Sequence, residues 1–192
     1  MHMTVLKMTR SSILAAENLL DINSTNSVHR WLTAQQDISR AEGKILYKII
    51  SKDDELYVYI QSKDKFNING LSTYGFVYVK DFEVLDILPE ICSFDLQTFP
   101  YKTHKSKRYY IKSLQDRYKW LQKYFSNHGI ELLDCVEYKQ SFITMDKVYR
   151  KYIPTSSFKG TIHITDQNLA KQLLEDGIGR FKNYGLGLML VK

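Results

Sequence analysis

Three groups of residues in this sequence have the types and spacing to do chemistry. The segment Gly177-Ile178-Gly179-Arg180-Phe181-Lys182-Asn183-Tyr184-Gly185-Leu186-Gly187 sets four glycines, two cations and two aromatics between a helical pattern and an apolar run. Glycine removes the Cβ obstruction, so such a backbone can approach a phosphate closely, its amides can donate to phosphate oxygens, and Arg180 and Lys182 add charge. The segment lacks the Gly-Lys-Ser/Thr of a nucleotide phosphate loop and does not follow a strand as a dinucleotide fingerprint would. An ordinary glycine-rich turn has the same composition, and from the residues alone both readings stand.

The second group is cationic. Lys102-Thr103-His104-Lys105-Ser106-Lys107-Arg108-Tyr109-Tyr110 contains no acidic residue, and arginine beside tyrosine suits phosphate pairing and base stacking. A solvated linker would also read this way. Lys147, Arg150 and Lys151 form a further basic cluster on an expected hairpin, with the same two readings. The third group is His29-Arg30-Trp31-Leu32. His29 falls early in an expected helix, where an imidazole can face a groove while Trp31 or Leu32 packs inward. A lone histidine is more often a packing or surface residue than a proton-transfer group, so position alone leaves its role open. None of the five histidines has the spacing of a metal-binding helix or finger, and no metal or other cofactor is expected.

The elements that must position these groups follow from periodicity. Thr4–Thr9 suits a strand, and Ser11–Leu20 and Val28–Gln36 have helical spacing. Ile45–Ile50 and Leu56–Ile60 are β-branched and aromatic runs joined across Lys52-Asp53-Asp54-Glu55, the pattern of an antiparallel hairpin. A further strand is expected at Phe94–Phe99, stopped by Pro100, which lacks the donor to continue a ladder. Leu114, Tyr118, Leu121 and Phe125 recur at helical spacing over Leu114–His128, with Gly129 at the expected C-terminal stop. Strands at Val136–Thr144 and Thr161–Thr165, a helix capped by Asp166, and a strand at Leu186–Val191 complete the chain. In this order the second half repeats the element plan of the first, without a visible sequence repeat. The expected architecture is α+β, two tandem ferredoxin-like βαββαβ domains with antiparallel sheets, divided into 1–101 and 102–192.

Composition bounds the rest. The 192 residues are 44% hydrophobic and 25% charged with 3 prolines, which describes an ordered globule rather than a disordered or fibrous chain. A net charge of +6 favours a polyanionic partner. Cys92 and Cys135 are the only cysteines, in separate segments, so neither a disulfide framework nor a thiolate metal site is indicated and a reducing cytoplasm is expected. No leading apolar run with a cleavage site and no span of membrane length is present.

In this order the pieces resemble the CasE group of CRISPR RNA endoribonucleases, members of the RAMP superfamily, over nearly the whole chain. The most specific match is the ending Asp176–Leu188, similar to the family's glycine-rich closing motif and preceded by the strand Phe158-Lys159-Gly160-Thr161-Ile162. Val28-His29-Arg30-Trp31-Leu32 is similar to the helix carrying the family's catalytic histidine. Phe94–Pro100 is similar to its strand leading into a basic Lys-Arg segment, and Gln115–Leu121 to the helix that opens its second domain. Relatives carry a tyrosine one helical turn before the histidine. Here that position is Asn26, which can hydrogen-bond to phosphate or ribose but does not ionise as a phenol does.

The resemblance implies a substrate, the repeat hairpin of a CRISPR precursor transcript, cut on the 3′ side of its stem without a metal. His29 would transfer the proton, with Asn26 and Arg30 beside it. Arg40 and Lys44, together with Lys107, Arg108, Lys147, Arg150, Lys151, Arg180, Lys182 and Asn183, would hold the RNA. It also implies that the protein keeps its product, the mature guide RNA, and joins other subunits of a CRISPR surveillance complex, with no membrane partner. Two rivals remain at this point: an RNA-binding RAMP subunit without catalysis, and a structural protein without RNA.

Overall fold

The computed structural model describes residues 1–9, 32–33, 45–52, 55–69, 76–83, 87–146 and 151–192. The strands are β1 (His2–Thr9), β2 (Leu46–Lys52), β3 (Glu55–Ser62), β4 (Phe76–Glu83), β5 (Ile91–Thr98), β6 (Tyr101–His104), β7 (Lys107–Tyr110), β8 (Ile130–Asp146), β9 (Lys151–Ile164) and β10 (Met189–Val191). Two helices are described over most of their length, α1 (Leu114–Ser126) and α2 (Gln167–Asp176). The expected helix at 11–20 lies outside the described residues. Of the one at 28–36, only Leu32 and Thr33 are described, and both are helical and buried.

The first sheet has the order β2-β3-β1-β4. β3 runs antiparallel to both β1 and β2, so β1 and β2 are parallel with β3 between them, the split β-α-β arrangement of a ferredoxin-like fold. The expected hairpin closes on the Lys52–Glu55 pair. Leu6, Met8, Tyr47, Val58, Ile60, Phe66 and Phe76 form its core, and Leu32 packs into the same cluster.

The second sheet has the order β10-β5-β9-β8. With strands taken in chain order, this is the same permutation as the first sheet: fourth, first, third, second. The β6–β7 hairpin is inserted between its first strand and its first helix. Alternation along β5 buries Cys92, Phe94, Leu96 and Thr98 against the layer that also contains Leu121, Phe125, Phe158, Ile162 and Leu173.

The placement of β5 corrects the expected division at residue 101. The strand containing Phe94 pairs with β9 and β10 and opens the second repeat rather than closing the first. The strand that closes the first is β4, which the sequence reading passes over. Its Val77, Tyr78 and Val79 are all exposed, so the segment lacks the alternation that marks a half-buried strand. A bulge between Val5 and Leu6 pairings, which leaves Val79 without an opposite residue on β1, further breaks its register. By contacts the chain divides into Met1–Val84 with Thr144–Tyr152 and Lys182–Gly185, and Leu85–Ile143 with Ile153–Phe181 and Leu186–Lys192.

Both helices start on side-chain caps. The Asp166 carboxylate accepts from the backbone N–H of Asn168 at 2.9 Å and of Leu169 at 3.0 Å, and Ser113 Oγ accepts from Asp116 N–H at 3.4 Å. On α1 the buried face is Arg117, Leu121 and Phe125, whereas Leu114, expected on the core side, is exposed. An ion pair accounts for the buried arginine. Arg117 is 1% exposed; its Nε donates to Glu137 Oε1 at 2.9 Å and its Nη1 to the Ile111 carbonyl at 3.2 Å. A second pairing, Nη2 to Glu137 Oε2, makes the contact bidentate and ties α1 to β8.

Removing one partner of a buried, doubly hydrogen-bonded pair strands the other charge. Arg117→Ala is therefore expected to cost about 3–5 kcal/mol, read by urea unfolding, with Arg117→Ala/Glu137→Ala less destabilised than the sum of the two single variants.

Candidate nucleic-acid interface

The glycine-rich ending is built by close backbone approach. Gly177 caps α2 with φ +73°, a region L side chains avoid. At Gly179, φ +78°, an added Cβ would stand 2.8 Å from Thr98 Oγ1. At Gly187, φ +85°, it would stand 2.6 Å from the Ile178 carbonyl oxygen. Ile178 N–H donates to the Gly187 carbonyl at 2.8 Å and Gly187 N–H to the Gln97 carbonyl at 2.9 Å, so the loop closes on itself and on β5. The Thr98 hydroxyl donates to the Ile178 carbonyl at 3.2 Å. Phe181, a residue with a side chain, also takes positive φ; its ring packs edge-on against Phe99 at 5.1 Å.

Lys182–Tyr184 forms a short 3-10 turn. Within its own unit it rests on Tyr47, which is fully buried. The Tyr47 hydroxyl donates to the Asn183 carbonyl at 3.2 Å, and a Cβ on Gly185, φ +78°, would lie 2.9 Å from the Tyr47 ring. Burial pushes the Tyr47 phenol far above its ordinary range, so it acts here as a neutral donor. Sequence reading treats Tyr47 as one aromatic residue of a strand and gives no sign of this role.

The basic stretch 102–110 is a hairpin, not the alternative of a linker. β6 and β7 pair from Tyr101–Tyr110 to His104–Lys107, and Lys105 and Ser106 both take positive φ, as a two-residue turn matched to strand twist requires. Lys102, His104, Lys105, Lys107 and Arg108 are all exposed. Arg108 sets its guanidinium 5.5 Å from the Tyr101 ring, and Arg180 lies 5.9 Å from the Phe181 ring. Tyr101 and Phe181 both pack on Phe99, so the structure sets Arg108 and Arg180 against one aromatic group.

Of the other expected RNA ligands, Lys151 is exposed at the start of β9, and Lys182 and Asn183 are half-buried. Asn26, His29, Arg30, Arg40, Lys44, Lys147 and Arg150 lie outside the described residues. Among the described histidines, His163 is clamped between Glu131 at 3.1 Å and Glu90 at 3.3 Å, which raise its pKa. His128 places Nδ1 2.7 Å from the Tyr124 carbonyl. Burial pushes the Cys135 thiol up to about 12 and raises that of Cys92, and both cysteines are free. Among the described residues no cluster of three or more His, Cys, Asp or Glu could hold a metal ion. Nor, among them, is any helix long and apolar enough to cross a membrane.

The family model described as CRISPR associated protein matches residues 1–192, and the chain belongs to that family. Its fold, two tandem ferredoxin-like repeats, is that of solved Cse3 structures. One, a CRISPR endoribonuclease Cse3 bound to 19 nt RNA, matches with a TM-score of 0.86 at 20% identity over 100% of both chains. Cse3 of Thermus thermophilus, bound to an RNA representing a pre-cleavage complex, matches with a TM-score of 0.85 at 18% identity, again over 100% of each chain. A chain of a CRISPR RNA-guided surveillance complex, pre-nicking, matches with a TM-score of 0.71 at 18% identity over 100% of this chain and 99% of that one. Among curated proteins, no sequence matches this one.

The seat of the closing loop can be tested by stability. Gly185→Val forces a β-branched residue into positive φ and into the Tyr47 ring, and a loss exceeding about 1–3 kcal/mol is expected from the backbone conformation alone. Tyr47→Phe removes only the hydroxyl donor and is expected to cost about 1 kcal/mol, so chemical unfolding should rank Gly185→Val as clearly the more damaging.

Proposed function

We propose that this protein is a metal-independent endoribonuclease that binds the repeat hairpin of a precursor CRISPR RNA and cuts on the 3′ side of its stem. The observation that carries the reading is full-length agreement with a family of CRISPR associated proteins and with the fold of an RNA-bound Cse3, in a chain that displays an exposed cationic hairpin beside a tightly closed glycine-rich loop. A-form RNA is recognised largely through its shape, phosphates and 2′-hydroxyls. Lys107, Arg108 and Arg180, with Lys151, Lys182 and Asn183, are the described residues assigned to those contacts. Arg40, Lys44, Lys147 and Arg150 are assigned to the same task from the sequence.

In the proposed reaction the ribose 2′-hydroxyl upstream of the cut attacks the adjacent phosphorus. The P–O5′ bond breaks, leaving a 2′,3′-cyclic phosphate on one product and a 5′-hydroxyl on the other. The nucleophile belongs to the RNA, so the protein has to move protons and stabilise a phosphorane, tasks that a histidine and cations can perform. His29 is assigned the proton transfer, Arg30 the charge, and Asn26 a hydrogen bond to phosphate or ribose in the place where relatives carry tyrosine. After cleavage the protein holds the hairpin of the mature guide RNA and takes its place in the cytoplasm among the subunits of a CRISPR surveillance complex.

His29→Ala is expected to reduce the single-turnover cleavage rate by about 10² to 10⁴ while hairpin affinity stays within a few-fold. Replacing the 2′-hydroxyl at the cut by hydrogen should stop cleavage by the parent protein. If His29→Ala cuts as fast as the parent, His29 has no part in the reaction; if neither protein cuts its cognate repeat but both bind it, the chain is a non-catalytic RNA-binding subunit.

A further inference from the structure

A row of half-exposed rings lies along one face of α1 and past its end. Trp120 and Tyr124 are four residues apart on the helix, and His128 follows at the next such step. Ring centroids are 6.2 Å apart from Tyr101 to Trp120, 5.2 Å from Trp120 to Tyr124 and 4.9 Å from Tyr124 to His128. The fully buried side of the helix is supplied by Arg117, Leu121 and Phe125, so the row is additional to the core. Rings that touch one another need no ligand to explain them. Charge is what gives this row a direction.

At one end Arg108 stands over Tyr101 on a hairpin whose loop side is cationic and exposed. Near the middle, Gly179 N–H donates to the Tyr124 hydroxyl at 3.3 Å, and the position of a Cβ on Gly179 is 3.8 Å from the Trp120 indole. Arg180, the next residue, is exposed. Flat, uncharged faces edged by guanidinium groups suit a polymer of phosphates carrying planar bases. A duplex hides its base faces within the stack, whereas unpaired nucleotides present them, and stacking tolerates any base.

We infer that this row is a platform for single-stranded RNA that flanks the hairpin, with unpaired bases stacking on the Tyr101–Trp120 region and Arg108 and Arg180 holding phosphates where the stem meets that strand. The inference rests on the RNA-binding reading above and adds to it a second contact, with the strand beyond the stem.

Trp31 and Trp120 are the two tryptophans, so Trp31→Phe leaves Trp120 as the sole indole reporter. This protein is titrated with the repeat hairpin, carrying a 2′-deoxy nucleotide at the cut, and with the same hairpin extended by a short oligouridine strand. The extension is expected to quench Trp120 emission and to tighten binding by roughly tenfold for one stacked base. Trp120→Leu, with its folding checked by thermal unfolding, should lose that gain while keeping the affinity of the plain hairpin. Tight binding of the plain hairpin with no quenching and no gain from the extension would overturn the platform and leave the hairpin reading standing. Failure of both RNAs to bind would overturn the two together.

Discussion

Between Gly177 and Gly187 the backbone takes positive φ at Gly177, Gly179, Phe181, Gly185 and Gly187, and the arrangement around this segment depends on that sequence of left-handed turns. Four of the five positions have no Cβ, and at three of those one would press against Thr98, Tyr47 or the Ile178 backbone. The amides of Ile178 and Gly187 close the loop against its own carbonyl and that of Gln97. The fifth position retains a ring, and Phe181 uses it to pack on Phe99, which in turn holds Tyr101 and Tyr110. Backbone closure and aromatic packing thus fix Arg180 and the root of the basic hairpin with respect to the same strand. In the proposed function, where this surface meets a regular polyanion, preset spacing of cations would limit the side-chain ordering that binding otherwise requires.

The two sheets share one strand permutation, and much of that was legible in the sequence. The β2–β3 hairpin, both described helices and the Asp166 cap follow from periodicity and capping chemistry, and the recurrence of a strand-helix-hairpin order suggests a tandem ferredoxin-like fold. What failed was the assignment of strands to sheets. Because Val77, Tyr78 and Val79 are exposed on both faces, β4 leaves no local pattern, and the sequence offers the next strand as the end of the first repeat. Pairing partners are set by long-range register, to which a local pattern is blind, and only the ladder of Phe94 with Gly160 and Val191 assigns β5 to the second sheet. The lengths of β8 and β9 were hidden for a related reason. Polar Thr155, Ser156 and Ser157 are buried within β9, satisfied by partners such as Gln97, Ser141 and Tyr110, and read in isolation like a loop.

The candidate site is legible in the sequence as a set of residue types and not as an arrangement. Glycines in the closing segment and cations in 102–110 are visible in the sequence, and the structure supplies what joins them: Phe99, Tyr101 and Trp120, none of which has a functional signature of its own. Arg117 shows the opposite case, a cation within a helix rich in charge that turns out to be buried against Glu137 and serves the fold. A count of positive charge would have given it to the RNA. In the proposed reaction the departure at Asn26 would bear on rate rather than on the identity of the nucleophile, because the attacking 2′-hydroxyl would be carried by the substrate.

The proposed reaction cuts RNA through the substrate's own 2′-hydroxyl. Mass spectrometry of the two fragments formed when the purified protein meets its cognate repeat hairpin in excess EDTA tests it, since it reports the chemistry of the new ends. The expected result is cleavage on the 3′ side of the stem, a 2′,3′-cyclic phosphate on the upstream fragment and a 5′-hydroxyl on the downstream one. A 3′-hydroxyl with a 5′-phosphate, or cleavage that appears only when a divalent metal is restored, would contradict it.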